Sequence, residues 1–232
     1  MKDKTQDIVE RMMALPLFLG MSPGDIDELM ANHKIAHHVY GEKRTVAAAD
    51  EPCSGLIIVA DGGLAVATES DDHSYRVEET LPTPALIQPD RVFGLSPRYS
   101  RTFVTTERST IVYIPKGDVV SLSDSYEIFR INFLNTISSQ AQKLARVPWR
   151  HTPQSLRGRI IRFAESHCMV PAGEKVVTIK MARLARELNV PRLNLSRELH
   201  AMEDEGLVCL KRNKIIIPHL ETAIRLHAQQ KD

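Results

Sequence analysis

The sequence predicts an α+β chain in three parts: a β-barrel or jelly roll in the first half, one long helix, and a helix-turn-helix with a two-stranded wing in the last third. Short stretches rich in β-branched residues alternate with turn residues from about 35 to 115, as in all-β domains. Apolar residues recur at three- and four-residue steps over residues 126–147, which indicates a long helix. Two shorter amphipathic segments within residues 180–203 predict the helix pair.

Size and composition are those of an ordinary folded protein. The chain has 232 residues, of which 43% are hydrophobic and 25% charged, and this balance excludes the disordered and collagen-like classes. No apolar run reaches the roughly 18 residues of a membrane span, and the N-terminus lacks a signal-peptide pattern. We therefore expect no contact with a membrane. The three cysteines, Cys53, Cys168 and Cys209, lie far apart, which disfavours a disulfide framework and predicts a cytoplasmic protein.

Charge is distributed unevenly along the chain. Residues 1–147 carry 15 Lys and Arg against 20 Asp and Glu, a net charge of −5. The remaining residues carry 15 against 9, a net charge of +6. The basic C-terminal part is therefore the part we expect to meet a polyanion.

Local signals predict the elements of the first half in order. Residues 5–31 predict short helical segments, with Ser22 as an N-cap and Pro23 in the first helical turn. We expect strands at residues 35–40, 45–48, 56–60, 64–68, 75–81, 102–106 and 110–114.

Turn residues divide these strands. Asp61-Gly62-Gly63 stands between two apolar runs and predicts a hairpin turn. Four prolines lie within residues 82–97, and they cannot all occupy paired central strands. We therefore expect an irregular segment there.

Residues 126–147 form the predicted long helix. A helix that leaves a β domain has too little of that domain to cover its apolar stripe, so a second copy is the natural cover, and packing on its own β domain is the alternative. Pro148 and Pro153 bracket a short hinge, and residues 155–167 predict a further helix. We expect the interface between two copies to contain Ile131, Leu134, Ser138, Ala141 and Ala145.

The most informative stretch is KMARLARELNVPRLNLSRELHAME at residues 180–203. Asn189 tolerates the left-handed conformation of a tight turn, and Pro191 suits the start of a second helix. In that second helix Leu195, Leu199 and Met202 fall on one side. Residues 207–217 then predict a two-stranded wing with the basic tip Lys-Arg-Asn-Lys.

The exposed residue types fit double-stranded DNA. Arg192 and Arg197 can each donate two hydrogen bonds to guanine, and Ser196 can bond a base or a phosphate. The alternative is that these side chains are merely solvated. The residues expected to contact phosphates are Lys180, Arg183, Arg186, Lys211, Arg212 and Lys214.

With this order of parts, the chain resembles the Crp/Fnr superfamily of bacterial transcriptional regulators. The resemblance is carried by LPLF at 15–18, Gly41-Glu42, IIVADGGLAV at 57–66, VFG at 92–94, and above all LARELNVPRLNLSREL at 184–199 followed by EDEGLV. It implies a sensor-like, cyclic-nucleotide-binding-like domain at 1–124, a dimerisation helix at 125–147, and a winged helix-turn-helix at 148–232. It also implies a homodimer that binds a near-palindromic operator, an effector, and RNA polymerase as a partner.

The chain departs from the family at two sites. In the family a glutamate commonly follows the position of Arg192, where it can accept from cytosine; Leu193 stands there and cannot. FGLSPRYSRT at 93–102 lacks the acid that follows the family's cassette glycine, which disfavours a cyclic nucleotide. The residues that could imitate an effector site are Gly94, Arg98, Arg101 and Thr102.

Other cofactors and functions can be distinguished by the residues that each would require. The family's N-terminal cysteine group is missing, which disfavours an iron-sulfur cluster. Haem stays open, with axial candidates His33, His37, His38, His73, Met12, Met13 and Cys53. A cupin-like enzyme would need clustered metal ligands such as H-x-H, and a nucleotide-binding regulatory subunit would have no use for the basic wing. We therefore predict no enzyme activity, no catalytic residues and no metal site.

Overall fold

The structure is a computed structural model that describes residues 4–33 and 35–229. The chain forms two compact units. The first contains the described residues up to Leu64 together with Leu81–Arg150, and the second contains Ala65–Thr80 together with the residues from His151 onward. No helix in the described ranges is long and apolar enough to cross a membrane.

The first unit combines helices with antiparallel strands. Ser22 caps the helix Pro23–Asn32 as expected, because its hydroxyl accepts from the Asp25 amide at 3.1 Å and Asp25 in turn accepts from the Ser22 amide. The unit's helices are α1 (Lys4–Met13), α2 (Pro23–Asn32), α3 (Lys116–Ser125) and α4 (Glu127–Arg146), and its strands are β1 (Ala36–Tyr40), β2 (Thr45–Ala47), β3 (Gly55–Asp61), β6 (Ala85–Ile87), β7 (Thr102–Thr105) and β8 (Ser109–Pro115).

β3 is the central strand of this unit. Leu56 to Ala60 are all buried, which matches the uninterrupted apolar run. β3 lies between β8 and β6 in a four-stranded sheet of order β1-β8-β3-β6. The segment 81–97, predicted to be irregular, contains β6, whose Ile87 pairs with Ile57; its prolines stand before and after that short strand.

The predicted hairpin at Asp61-Gly62-Gly63 is wrong. β3 pairs with β8 and β6, and the strand that follows the glycines does not pair with it. Glycine is required here for a different physical reason. Gly62 has φ +100°, and a Cβ on it would meet the backbone oxygen of Arg108 at 2.7 Å.

The long helix α4 is confirmed, and two of its aromatic residues attach it to the first unit. Phe129 and Phe133 are buried, and the Phe129 ring lies 5.9 Å from Phe18. Asn132 donates to the Leu19 carbonyl at 2.8 Å. The preceding helix α3 was not predicted from the sequence.

The second unit is the C-terminal part joined by a hairpin from the first half of the sequence. The predicted helix at 155–167 is confirmed, with the Ser155 hydroxyl accepting from Gly158 N at 3.1 Å. The unit's elements are β4 (Leu64–Glu69), β5 (Tyr75–Leu81), α5 (Leu156–His167), β9 (Lys175–Ile179), α6 (Met181–Glu187), α7 (Arg192–Asp204), β10 (Cys209–Lys211), β11 (Lys214–Ile217) and α8 (Leu220–Gln229). Its strands are arranged in the order β10-β11-β9-β5-β4.

These units confirm the predicted fold class. The chain is α+β, with a jelly-roll-like set of antiparallel strands followed by a long helix and a winged helix-turn-helix. β9 and α8 were not predicted, and the pairing of β5 with β9 has no signal in the local pattern.

We expect Gly62→Ala to destabilise the first unit, because an alanine is strained at φ +100° and its Cβ would press on the 106–109 turn. The free energy of unfolding should fall by about 1–3 kcal/mol, measured by urea unfolding followed by circular dichroism. Gly41→Ala is the matched control, because nothing lies within 4 Å of a Cβ there. Equal stability of the two variants would contradict this account.

Candidate nucleic-acid interface

Helices α6 and α7 form the helix-turn-helix, and one side of each helix lies in the core of the second unit. Leu184 and Ala185 of α6 are buried, as are Leu195, Leu199 and Met202 of α7. Full burial of a leucine or methionine side chain contributes roughly 1.5–3 kcal/mol, so the apolar side of α7 fixes its rotation. The predicted inward side of α7 is confirmed.

The turn between the helices has the expected geometry. Asn189 has φ +49°, the left-handed region that asparagine tolerates better than most residues. The Val190 amide donates back to the Ala185 carbonyl at 2.9 Å, and Val190 packs against the core. Helix α7 then begins at Arg192, one residue after Pro191.

The opposite side of α7 is polar and open. Arg192 and Arg197 are exposed and Ser196 is partly exposed. Asn194 is also exposed on the first turn, a polar residue that sequence reasoning passed over. The structure therefore presents the three predicted base-contacting residues on a surface that the core leaves free.

Arg157 of α5 clamps α7 at two points. Its Nε donates to Glu198 Oε1 at 2.9 Å, and its two terminal nitrogens donate to the carboxylate of Glu205 at 2.8 and 2.7 Å. These carboxylates raise the pKa of Arg157, with Glu205 the larger cause. A bidentate pair of this kind holds orientation as well as contributing energy. No local spacing in the sequence could indicate this contact, since it joins residues more than 40 positions apart.

The wing has the predicted basic tip. Lys211 and Lys214 are paired across β10 and β11, and Arg212 and Asn213 form the connection, with Asn213 at φ +58°. All four are exposed. β11 also pairs with β9, so this exposed tip projects from a sheet anchored by the buried Ile215 and Ile217.

The residues predicted to contact phosphate differ in their surroundings. Lys180, Arg186, Lys211, Arg212 and Lys214 are exposed. Arg183 is instead held between two carboxylates, at 2.9 Å from Asp72 and 2.6 Å from Glu187. Arg183 therefore reaches a phosphate only in competition with these partners.

Asp72 lies in the turn between β4 and β5. Hydrogen bonds from Ser74 and Ser70, with a smaller contribution from the charge of Arg183, lower the pKa of Asp72 to about 2. Tyr75, next along the hairpin, bonds His167 Nε2 at 3.0 Å. The hairpin tip is thus attached to both α6 and α5.

A buried ion pair joins the same hairpin to β9. Tyr75 to Glu79 pair antiparallel with Lys175 to Ile179, and Lys175 Nζ lies 3.2 Å from Glu79 Oε2. The side chains are 0% and 2% exposed. Lys175 also donates to the Ala172 carbonyl at 2.7 Å, and Glu79 accepts from the amides of Met169 and Val170. The pair therefore has the additional hydrogen bonds that a desolvated pair requires.

Comparison with known proteins places the fold. No model of a known protein family and no curated protein matches this sequence. A protein from Eubacterium rectale, assigned to the Crp/Fnr family of transcriptional regulators, shares 18% identity over 92% of this chain and 98% of its own, with a TM-score of 0.52. This chain has the Crp/Fnr fold. The sensor domain of the regulator DNR from Pseudomonas aeruginosa shares 14% identity over 66% of this chain and 98% of its own, with a TM-score of 0.50.

Within this Crp/Fnr fold, two of the residues predicted for an effector site contact the same segment of the first unit. Arg98 Nη1 donates to the Asp50 carbonyl, and Thr102 Oγ1 accepts from the Ala49 amide at 3.1 Å. Gly94 is exposed at φ +104° and Arg101 is partly buried. Arg98 and Thr102 therefore hold the 49–50 segment in this structure.

The histidine and cysteine candidates for a haem ligand have different surroundings. His33 Nδ1 lies 3.3 Å from Asp118, and Cys53 donates to the Gly55 carbonyl at 3.4 Å. His37 and His38 are exposed on β1, and His73 lies in the β4–β5 turn. Across residues 4–33 and 35–229, no three His, Cys, Asp or Glu side chains could hold a metal ion.

The expected interface residues of α4 are all exposed. Leu134 is 56% exposed and Ile131 is 48% exposed, while Ser138, Ala141 and Ala145 lie further along the same helix. The helix thus shows one side to its own unit, through Phe129 and Phe133, and leaves this second side without cover in the monomer.

We expect Glu79→Gln to lower the free energy of unfolding of the second unit by roughly 3–5 kcal/mol, because Lys175 would remain buried without its counter-charge. Urea unfolding measures the loss, and the double change Glu79→Gln/Lys175→Met should recover most of it. The control is Glu78→Gln on the same strand, whose pair with Arg76 is exposed and contributes about 0–1 kcal/mol. If Glu79→Gln were no worse than the control, the ion pair would not be holding the hairpin.

Proposed function

We propose that this protein is a DNA-binding transcriptional regulator that acts as a homodimer on a near-palindromic operator. The observation that carries the proposal is the two-sided character of α7. Its apolar side is completely buried, and Arg192, Ser196 and Arg197 project from the other side. A helix held in this way by a helix-turn-helix enters the major groove with its N-terminal residues at the base edges.

Each side chain has a task in this proposal. Arg192 and Arg197 each donate two parallel hydrogen bonds to O6 and N7 of guanine. Ser196 bonds a base or a phosphate. The Arg157 clamp supports the proposal, because base recognition needs α7 to keep one orientation.

The exposed cations around α7 supply affinity that does not depend on sequence. Lys180, Lys211, Arg212 and Lys214 meet phosphates, and each contact releases counterions, so the affinity falls as salt rises. Arg183 joins this set only when a phosphate displaces the carboxylate of Asp72. The net charge of +6 beyond residue 147 agrees with a polyanionic partner.

The exposed side of α4 is the proposed dimer interface. A second copy of α4 covers Ile131 and Leu134 at one end, and the smaller Ser138, Ala141 and Ala145 allow the helices to approach closely further along. Pairing through α4 produces two recognition helices, which is what a palindromic operator requires.

We propose the remaining roles on the same basis. Residues 1–124 sense an effector whose identity is unassigned, and residues 125–147 form the dimer. Residues 148–232 bind DNA in the cytoplasm, with RNA polymerase as a partner. No side-chain arrangement among the described residues favours the cupin-like enzyme. A regulatory subunit that binds only a nucleotide would leave the basic wing without a role.

We expect Arg197→Ala to weaken specific operator binding by about 1–3 kcal/mol, because the guanine contact is lost. Titration of a selected operator and a random duplex by fluorescence anisotropy measures the difference. Arg108→Ala is the charge-matched control, since Arg108 is exposed in a turn of the first unit. Unchanged operator affinity in a folded Arg197→Ala protein would contradict the assignment.

We expect Leu134→Glu to shift the protein from dimer to monomer in analytical ultracentrifugation, because a carboxylate would be buried without a partner between two α4 helices. Operator affinity should fall as the dimer is lost. Ser139→Glu adds the same charge at an exposed position that is not three or four residues from any expected interface residue, and it should leave the dimer intact. A Leu134→Glu protein that stays dimeric would place the interface elsewhere.

A further inference from the structure

Leu193 is an apolar side chain on the polar side of α7. It is 61% exposed, whereas the other two leucines of the helix, Leu195 and Leu199, are fully buried. Packing within the described chain therefore leaves most of Leu193 exposed. The exposed face of α7 is where we propose that DNA binds, so this inference rests on the proposed function.

Leu193 lies in the middle of the reading surface. It is the second residue of α7, and side chains three and four positions apart share a helix face. Ser196 and Arg197 stand at those two positions, and Arg192 and Asn194 flank Leu193 along the chain. A leucine placed there meets a base edge when the arginines contact guanine.

The chemistry of the major groove restricts what that base edge can be. Leucine has no donor and no acceptor, and the thymine C5-methyl is the one apolar group that any base pair shows in the major groove. A cytosine at this position would present its N4 donor to a side chain that cannot accept, which leaves the donor unsatisfied. Thymine is therefore the base that Leu193 fits.

We propose that Leu193 is a specificity-determining residue that packs on the methyl group of a thymine next to a guanine read by Arg192 or Arg197. Its surroundings favour DNA over a protein partner, because Arg192, Asn194, Ser196 and Arg197 are all polar. A patch for another protein would need further apolar neighbours. The operator half-site consequently contains a T·A pair next to a guanine that Arg192 or Arg197 contacts.

The test removes only the methyl group. Operators are first selected from random duplexes with the full-length protein, and each half-site thymine is then replaced in turn by deoxyuridine. Wild-type protein should lose about fourfold in affinity at one position per half-site, the value expected for one buried methyl group. Leu193→Ala, whose shorter side chain covers less of the methyl group, should show a smaller loss at that position, and circular dichroism checks that both proteins are folded.

A second variant should change which base is selected. Leu193→Glu introduces an acceptor for cytosine N4, so selection with this variant should replace the thymine by cytosine at the same position. Asn194→Ala, which changes the adjacent exposed residue and retains Leu193, should keep the thymine preference.

The outcomes separate this inference from the proposed function. If deoxyuridine has no effect at any half-site position while Arg197→Ala still loses operator affinity, the reading of thymine by Leu193 is overturned and DNA recognition stands. If no duplex is selected and Arg197→Ala changes nothing, the proposed function itself fails.

Discussion

The antiparallel pairing of β5 with β9, closed by the buried ion pair of Glu79 and Lys175, holds the second unit together. β9 lies between β5 and β11, so it joins the hairpin to the wing within a single sheet. Both charges are removed from water, and such a pair is tolerable only because the backbone of residues 169–172 supplies further hydrogen bonds. The position of the wing follows from this arrangement.

Burial then determines which side of α7 is free. Leu195, Leu199 and Met202 take one side into the core, and Arg157 holds Glu198 and Glu205 at the flank. The residues left on the outside are polar, with Leu193 as the exception. A surface that is fixed in orientation and rich in directed donors suits base edges better than a flexible cationic tail would, since recognition depends on geometry and charge alone does not discriminate.

Elements with strong local signals were predictable. The 3.6-residue period located α4, α5, α6 and α7, and the residues Ser22 and Asn189 marked an N-cap and a left-handed turn because few residue types satisfy those backbone geometries. The glycines at 62 and 63, in contrast, led to the wrong prediction of a hairpin turn. A glycine signals that a Cβ would not fit, and here the cause is the close approach of the 106–109 turn, a contact distant in sequence.

The sequence by itself determined the fold class and the chemistry of α7 and the wing, because periodicity, turn residues and charge are local properties. Only the tertiary structure decided that residues 65–80 join the second unit, that Asp72 forms an ion pair with Arg183, and that Glu79 forms one with Lys175. These contacts join residues about 100 positions apart, and the energy that selects them comes from strand pairing and the burial of apolar side chains in the folded core. No local pattern in a chain contains that information.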